Sequence, residues 1–474
     1  MIKKLRIITA GLSIALVANI AQGAVTYPYT DAIKYPFGFQ SSKFTDATFQ
    51  EWYTQYKSSK LIADCNGGKR TTCVGEDGEA TTKVESMGWA AIIAAYMGDK
   101  TTYDGLIKFY KSKLQSHGMM DWKTGCNGDV DDDKGSASDG DLDVAFGAVV
   151  AAWQWGGSYV NDAKAIINTC KKLIVSCNGT SVLAAGMGSG GNSPYGGCSE
   201  TDLSYYTPAF FREFAKFTGD NAWSKLADDT YYILEKTANQ STGLVPDWHT
   251  YNGQPYSGSR NGKTYHYDAC RVPWRMAIDY LWNGNERALA WCKKVTDWAN
   301  KVGASNIKDG YSPDGNPTGS YNNQAFVGAF ATAAMCNTQT ISDAFADQMA
   351  KLKTNTGYWY HGFLGTIYTL TMTGHMWTPD LLAKQTGVQL KTTSATASAM
   401  VVTNVSNRTL NISGMKNVSN IDLTSMNGQI VKQTENISNG TATMDVSSVK
   451  RGCYLLSIRG TDGKVSTTQV VLMK

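Results

Sequence analysis

Two kinds of helical run alternate along most of this chain, and the alternation limits the folds available to it. Six runs carry apolar residues on one face only, as helices at a surface do: 48–56, 101–114, 162–174, 221–234, 286–299 and 342–352. Six others are apolar nearly all round, which is typical of buried helices: 84–97, 142–155, 208–217, 272–282, 325–335 and 363–372. Buried helices alternating with surface helices predict two concentric layers, the arrangement of an all-α (α/α)6 barrel.

The composition changes near residue 391, where Thr, Ser, Val and Asn become frequent and Trp is absent. Short alternating apolar runs follow, several of them separated by Asn-Gly or Asp-Gly pairs that favour hairpin turns. These features predict a small all-β sandwich. The predicted domains are therefore a helical barrel at 24–384, a linker at 385–398 and a β-sandwich at 399–474.

The first residues have the pattern of a secretory signal peptide. Residues 1–6 are basic, residues 7–20 are apolar, and residues 21–23 supply a small-residue cleavage site. We predict a signal peptide at 1–23 and a secreted protein that is extracellular or attached to the cell surface. The apolar stretch is too short to cross a bilayer, and no later segment is long enough, so no membrane span is expected.

The composition also argues against several kinds of ligand. The net charge is only +4 over 474 residues, and no basic run is interleaved with aromatics, so nucleic acid is not an expected partner. No Cys or His spacing is typical of zinc. The acidic run 129–133 departs from a calcium loop, because position twelve of that loop is Gly140 rather than Glu. We expect neither a metal nor another cofactor.

The ten cysteines can form disulfides in an exported protein. Cys65 and Cys73 flank a Gly-rich loop and form the best local pair, and Cys170 with Cys177 is another candidate. Further connectivity cannot be derived from the spacing. Cys270 falls in an apolar helical run and is predicted to be a buried free thiol.

Three carboxylates, Glu85, Asp139 and Asp268, stand at the start of three of the apolar runs. Short turns make consecutive helices antiparallel, so the buried helices point the same way and share one rim. One acid in a first turn is more often a stabiliser of the helix. We expect Asp141 and Asp143 to act in this way or to pair with a nearby Arg. Three equivalent placements give catalysis more weight, because buried charge is costly unless it is paired or used.

Cleavage of a glycosidic bond needs a protonated carboxyl beside the leaving oxygen and a second carboxylate as base or nucleophile. Glu85 and Asp268 can fill those roles, and a charged Asp139 nearby would favour the protonated form of Glu85. Long polar loops enter the buried helices and carry aromatic side chains whose flat faces suit stacking on sugars. We predict Trp89, Trp122, Tyr205, Trp248 and Tyr358 as substrate-binding residues.

Five segments resemble motifs of glycoside hydrolase family 8. They are Val84-Glu85-Ser86-Met87-Gly88, Ala137-Ser138-Asp139-Gly140-Asp141-Leu142-Asp143, Ser204-Tyr205-Tyr206-Thr207-Pro208-Ala209, Gly243-Leu244-Val245-Pro246-Asp247-Trp248, and the run from Tyr267 to Arg275. The resemblance spans residues 27–380. It implies an inverting mechanism on β-1,4-linked polysaccharides, with Glu85 as general acid, Asp268 as general base and Asp139 binding the sugar at the cleavage point.

The branch of the family that the motifs resemble is that of endoglucanases, which act on internal β-1,4 bonds of cellulose or mixed-linkage β-glucan. An endo-β-1,4-xylanase or a chitosanase of the same family is the alternative, and a non-catalytic glycan-binding barrel is an alternative of another class. A glycan-uptake scaffold would need binding repeats, and the sequence has none. By the same resemblance Tyr205 and Arg271 line the cleavage region, and Trp122 is a stacking platform.

The C-terminal domain resembles the type A sorting domain of the type IX secretion system. The similar segments are 423–431, 452–458 and 470–474, with Cys453 where Val is usual. This resemblance implies the type IX machinery as a partner. A carbohydrate-binding sandwich is the alternative, and the lack of Trp argues against it.

Overall fold

The computed structural model describes residues 32–385 and 401–472, except positions 129, 131–133, 190, 192, 407–408, 414–417, 426–428, 435–436, 439–440, 451 and 462–464. Two compact units are present, one within residues 26–390 and one containing residues 391–474. The predicted signal peptide at 1–23, the predicted linker beyond residue 385 and most of the acidic run 129–133 lie outside the described residues.

The first unit is mostly helical. Its described residues form thirteen α-helices: α1 Asp46–Ser58, α2 Val84–Tyr96, α3 Lys100–Ser112, α4 Ser138–Trp155, α5 Ser158–Cys170, α6 Pro208–Thr218, α7 Asn221–Thr237, α8 Val272–Asn283, α9 Glu286–Val302, α10 Gln324–Ala334, α11 Gln339–Leu352, α12 Trp359–Met372 and α13 Pro379–Gln385. The twelve helices predicted from the alternating runs correspond to α1–α12 in order.

Burial alternates between these helices as the apolar patterns predict. Every residue of α10 is buried, and so is every residue of α2 except Glu85, whereas α3 buries one face only. Each even-numbered helix contacts the next, and α12 contacts α2, so these six form a closed ring. Each odd-numbered helix from α1 to α11 packs against an even-numbered neighbour. The unit is therefore a helical barrel.

Glycines allow α2 and α4 to approach closely at their first turns. A Cβ on Gly140 would lie 2.5 Å from the backbone carbon of Val84 and 2.6 Å from the nitrogen of Glu85. A Cβ on Gly88 would lie 2.8 Å from the carbonyl oxygen of Gly140. Because backbone meets backbone here, Glu85 and Asp139 are brought to neighbouring positions at the entry to the two helices.

Short antiparallel strand pairs organise the loops that enter the buried helices: β1 Ile62–Cys65 with β2 Gly68–Thr71, β3 Thr81–Lys83 with β4 Lys123–Gly125, β5 Ile174–Cys177 with β6 Thr180–Leu183, and β7 Gly186–Met187 with β8 Pro194–Tyr195. The β3–β4 pair joins Lys83 to Lys123, and the amide of Val84 donates to the carbonyl of Trp122 at 2.9 Å. Trp122 therefore lies beside the start of α2.

Two disulfides link these loops, and they differ from the predicted pairs. Cys65 is bonded to Cys126, and Cys177 to Cys198. The predicted pairing of Cys65 with Cys73 is wrong because Cys65 lies at the turn of the β1–β2 hairpin, whereas β2 leads Cys73 away towards the other end. Cys73 is a buried free thiol.

The second candidate pair, Cys170 with Cys177, is also wrong, because β5 carries Cys177 away from the end of α5. Cys170 is buried, and its thiol lies 3.6 Å from the carbonyl of Asp141. Cys270 is a buried free thiol, as predicted. Local spacing therefore identified neither partner. The first disulfide joins the α1–α2 loop to the α3–α4 loop, and the second joins two cysteines 21 residues apart within the α5–α6 loop.

The second unit is built from β-strands, which in the described residues are β9 Val401–Ser406, β10 Thr409–Ser413, β11 Val418–Ser425, β12 Ile430–Thr434, β13 Ile437–Ser438, β14 Thr441–Asp445, β15 Gly452–Gly460 and β16 Val465–Leu472. They form two four-stranded sheets, ordered β13-β14-β10-β9 and β12-β11-β15-β16. Leu410 and Met444 from the first sheet share a core with Leu423 and Leu456 from the second. Among the described residues, no helix combines the length and hydropathy needed to cross a membrane.

Candidate active site

The N-terminal ends of the even-numbered helices meet through their side chains. Arg271, just before α8, is ion-paired with Asp139 in the first turn of α4 and donates to Ser204, before α6, at 2.8 Å. Tyr267, also before α8, accepts a hydrogen bond at its hydroxyl from Asn323 at 3.3 Å, and its carbonyl accepts one from Tyr360 in α12. The shared rim predicted for the buried helices is thus where the polar groups converge.

Glu85 lies in the first turn of α2, with Asp139, Lys83 and Arg271 as its charged neighbours. Its side chain is partly buried, and Oε2 is buried without a hydrogen-bond partner among the described residues. Burial, with the negative charge of Asp139 second, raises the pKa of Glu85 to about 8, although Lys83 and Arg271 oppose the shift. The raised pKa favours the protonated form of Glu85, which is the state a general acid requires.

Asp139 is fully enclosed, with a side chain 1% exposed. Burial raises its pKa, and the positive charges of Arg271 and Arg275 act against that rise. Its Oδ2 takes the ion pair with Arg271, while Oδ1 is buried without a hydrogen-bond partner among the described residues. The carboxylate thus keeps one acceptor atom available beside Glu85.

Asp268 is more accessible than the other two acids, with a side chain 40% exposed. Trp248 Nε1 donates to its Oδ2 at 2.9 Å, and Arg271 Nη2 lies 3.3 Å from its Oδ1. These two contacts fix the orientation of the Asp268 carboxylate from both of its oxygens. Solvent access and fixed donors together suit a carboxylate that activates water.

Arg271 connects the acids that the sequence placed on different helices. Besides Asp139 and Asp268, it lies 3.9 Å from the buried Asp202, whose carboxylate accepts from the hydroxyl of Ser204 at 2.8 Å. Its guanidinium also lies 5.9 Å from the Trp89 ring and 5.7 Å from the Tyr205 ring, both buried. The predicted residues Trp89, Tyr205 and Arg271 thus form one contiguous group.

A second group of aromatics surrounds Lys83, the residue before α2. Its ammonium lies 5.8 Å from the Trp122 ring and 5.0 Å from the Trp359 ring, and it is ion-paired with Glu76 at 3.0 Å. The indole of Trp359 donates to Glu76 at 2.5 Å, and the hydroxyl of Tyr358 lies 3.4 Å from the same oxygen. Trp122 and Tyr358, both partly exposed, are thereby brought to one part of the rim.

The two groups are joined because Trp359 stacks on Trp89 at 5.9 Å with an interplanar angle of 19°. Trp248 is buried like Trp89 and Tyr205, at 2% exposed, and Arg260 covers its ring at 4.2 Å. Its observed role is to hold Asp268.

The sequence interpretation missed four charged groups of this site: Lys83, Glu76, Asp202 and Asp247. Lys83 directly precedes α2, so its position next to the acid motif was a signal that could have been used. Asp202 lies two residues before the Ser-Tyr segment, and Asp247 is itself the acid of the Pro-Asp-Trp segment. Glu76 had no recognisable pattern, because its partners are up to 283 residues away.

Asp141 and Asp143 have structural partners, as expected; Asp141 lies in the first turn of α4 and Asp143 lies just beyond it. Asp143 forms a two-point ion pair with Arg275, at 2.5 and 2.7 Å, and both side chains are buried. Asp141 accepts from the hydroxyl of Tyr110 at 2.6 Å, and burial raises its pKa to about 8. Among the described residues, no group of three or more His, Cys, Asp or Glu side chains could hold a metal ion.

Glycoside hydrolases use a pair of carboxyl groups, and the contacts of Arg271 bring Glu85 and Asp268 to one rim of this helical barrel. The model of the family described as Glycosyl hydrolases family 8 matches residues 32–379. The chain is 35% identical over 361 residues to Endoglucanase C of Ruminiclostridium cellulolyticum, covering 73% of this chain and 75% of that protein. It is 32% identical over 428 residues to Endoglucanase A of Acetivibrio thermocellus, covering 86% of each.

Among solved structures, the apo structure of the beta-1,3-1,4-glucanase from Paenibacillus sp. X4 superimposes with a TM-score of 0.67 at 26% identity, covering 75% of this chain and 100% of that one. The chain belongs to glycoside hydrolase family 8 and is a glycoside hydrolase.

The C-terminal unit matches a second family model, described as Secretion system C-terminal sorting domain, over residues 404–473. This match confirms the sorting-domain resemblance. A sorting domain directs its chain out of the cell, so the protein is secreted or attached to the cell surface.

Proposed function

We propose that this protein is a secreted, inverting endo-β-1,4-glucanase that cleaves internal bonds of cellulose or mixed-linkage β-glucan. The observation that carries the proposal is the contrast between Glu85, whose pKa is raised to about 8, and the accessible Asp268, held by Trp248 and Arg271. The ring of even-numbered helices surrounded by odd-numbered ones supports an (α/α)6 barrel with the small β-sandwich following it.

In this mechanism Glu85 transfers its proton to the glycosidic oxygen as the bond from that oxygen to the anomeric carbon breaks. Asp268 removes a proton from a water molecule, whose oxygen attacks the anomeric carbon from the opposite face. The product anomer is inverted, Glu85 is left ionised and Asp268 protonated, and exchange with solvent restores both. Such a pair stands about 6.5–9.5 Å apart, which leaves room for the water.

Asp139 and Arg271 position the sugar at the cleavage point in this proposal. The free Oδ1 of Asp139 is an acceptor for a sugar hydroxyl, and the ion pair with Arg271 fixes its orientation. Trp89, Trp122, Tyr205, Trp248 and Tyr358 are the proposed aromatic contacts of the cleft. Of these, Trp122 and Tyr358 are the most accessible, which suits stacking on a glucan chain.

The names of the relatives support a β-glucan as the substrate, since two are endoglucanases and one solved structure is a beta-1,3-1,4-glucanase. The proposed route outward begins with the signal peptide at 1–23 and continues through the type IX machinery, which recognises the C-terminal domain. The proposed domain limits are 24–384 and 399–474, with a linker at 385–398.

The proposal is tested by measuring reducing-sugar release from carboxymethylcellulose, mixed-linkage β-glucan, xylan and chitosan, with Glu85→Gln and Asp268→Asn in parallel. We expect activity on the two glucans, a loss of about 10²–10⁴-fold in each variant, and initial products of inverted anomeric configuration by NMR. Glu235→Gln, a change to an exposed carboxylate ion-paired with Arg287, is the matched control.

Each other outcome replaces part of the proposal. Activity confined to xylan or chitosan would retain the mechanism and change the substrate. Retained configuration would exclude the inverting role of Asp268. Binding to glycans without hydrolysis would identify a binding barrel instead.

A further inference from the structure

Asp247 is a buried carboxyl group with no part in the mechanism described above. It is 3% exposed, and burial, with the charge of Asp268 second, raises its pKa to about 8. Placing such a group beside another acid disfavours folding unless its hydrogen bonds are satisfied. The contacts of Asp247 therefore indicate what it contributes.

Those contacts lie on both sides of Asp268 along the chain. Oδ1 of Asp247 accepts from the amides of His266 and Ala269, both at 2.8 Å. Oδ2 accepts from the side chain of Asn261 at 2.9 Å. One carboxyl oxygen thus fixes the backbone two residues before and one residue after Asp268.

The neighbouring Trp248 fixes the side chain of the same acid, through the 2.9 Å bond from Nε1 to Oδ2 of Asp268. Its own amide donates to the carbonyl of Asn261 at 2.9 Å, and the amide of Asp247 donates to that of Thr264 at 3.0 Å. Residues 247 and 248 together hold both the backbone and the carboxylate of Asp268. An accessible acid in a loop needs such support, because a displacement of about 1 Å can cost about 10²-fold in rate.

We propose that Asp247 is a positioning residue for the general base: its Oδ1 bridge between the amides of His266 and Ala269 sets where the Asp268 carboxylate meets the attacking water. This inference rests on the proposed role of Asp268. Asp247 does not touch the substrate in this proposal, so it affects the turnover step rather than binding.

The experiment compares Asp247→Ala, Asp247→Asn and Asp268→Ala in the full-length protein on cello-oligosaccharides. The control is Asn239→Ala, because Asn239 Oδ1 also accepts two amides, from Ser241 at 2.9 Å and Thr242 at 3.1 Å, earlier in the same α7–α8 loop. We expect Asp247→Ala to lower kcat about 10²-fold with KM nearly unchanged. Asp247→Asn retains an acceptor oxygen and should lose less, and Asn239→Ala should keep kcat within about twofold of the wild type.

Azide supplies a readout that loss of stability would not change. Azide attacks the anomeric carbon as an anion, so it needs no general base, while Glu85 still protonates the leaving oxygen and the product is a glycosyl azide. We expect added azide to restore turnover in Asp268→Ala and Asp247→Ala but not in Glu85→Gln.

Asp247→Ala with wild-type kcat, a kcat loss equal to that of Asn239→Ala, or no recovery with azide would overturn the inference. If Asp247→Ala does not fold, Asp247→Asn decides by the same criteria. An active Asp268→Ala would instead refute the proposed base, so the two failures are distinguishable.

Discussion

Glu85 begins a buried helix whose backbone touches the neighbouring helix at Gly140, whereas Asp268 lies in a polar loop and is 40% exposed. On the acid side, which is Glu85 and its neighbours, burial and the like charge of Asp139 raise the pKa of Glu85 to about 8. On the base side, which is Asp268 and its neighbours, the indole N–H of Trp248 and the guanidinium of Arg271 contact the carboxylate of Asp268. Two carboxyl groups of similar intrinsic acidity thus lie in different surroundings, and the proposed mechanism gives them different roles.

The two sides are also held in place by different interactions. The acid side is fixed by helix packing, which allows little adjustment because close-packed backbone cannot yield. The base side is fixed by hydrogen bonds from loop residues, Asp247 and Trp248 among them. Arg271 belongs to both sides, since it contacts Asp139 and Asp268.

The largest effect is expected from removing the group that joins the two sides. Arg271→Met leaves the buried carboxylates of Asp139 and Asp202 without their partner, so unfolding free energy should fall by about 3–5 kcal/mol and little activity should remain. Urea unfolding followed by Trp fluorescence measures this change in the helical unit, because no Trp follows residue 377.

The control for that prediction is Arg287→Met, which removes an ion pair with Glu235 whose side chains are 44% and 61% exposed. A solvated pair of this kind contributes about 0–1 kcal/mol. If Arg271→Met and Arg287→Met lowered the unfolding free energy equally, the contacts of Arg271 with the buried acids would contribute no more to stability than a solvated ion pair does.

A smaller effect is expected from disturbing the acid side alone. In Gly140→Ala the new methyl group would meet backbone atoms of Val84 and Glu85 at 2.5–2.6 Å. Overpacking should cost about 1–3 kcal/mol and displace Glu85, so kcat should fall. Circular dichroism melting and steady-state kinetics check both effects.

Gly188→Ala is the matched control, because the nearest atom to a Cβ there is at 3.8 Å. If Gly140→Ala behaved like Gly188→Ala, tight helix contact would not be what fixes Glu85.

The charge relation between Asp139 and Glu85 predicts a shift in pH dependence. A general acid acts while protonated, so activity falls as the pH rises through its pKa, about 8 for Glu85. Asp139→Asn removes the charge that raises this pKa, and the high-pH limb of kcat/KM should move to lower pH by about one unit. A pH profile of kcat/KM from 5 to 10 tests the sign, and a limb that stays in place or moves upward contradicts it.

The smallest effect is expected from a single donor on the base side. Trp248→Phe keeps an aromatic ring under Arg260 but removes the N–H that contacts Asp268, a bond to a charged group worth about 1.5–3 kcal/mol. We expect a fall in kcat of about tenfold.

Trp291→Phe is its control, because that indole donates to the carbonyl of Gly243 rather than to an acid. A similar loss of kcat in both variants would show general destabilisation in place of an effect on the base.

Much of the fold was predictable from the sequence because the spacing of apolar residues along a helix indicates which of its faces are buried. The twelve runs identified α1–α12, and their order placed Glu85, Asp139 and Asp268 at one rim. Local spacing failed for the cysteines: Cys65 pairs with Cys126 across 61 residues. It also left the supports of Asp268 unidentified.

The sequence by itself determined the alternating layers and the types of residue brought to the rim, because apolar periodicity and first-turn positions depend on neighbours only a few residues apart. Only the tertiary structure decided which acid receives Arg271, which cysteines are bonded and which residues hold Asp268. These pairings join distant parts of the sequence: Arg271 and Asp139, for example, are 132 residues apart. Contacts over such separations depend on how helices and loops meet in space, and no spacing of residues along the sequence indicates them.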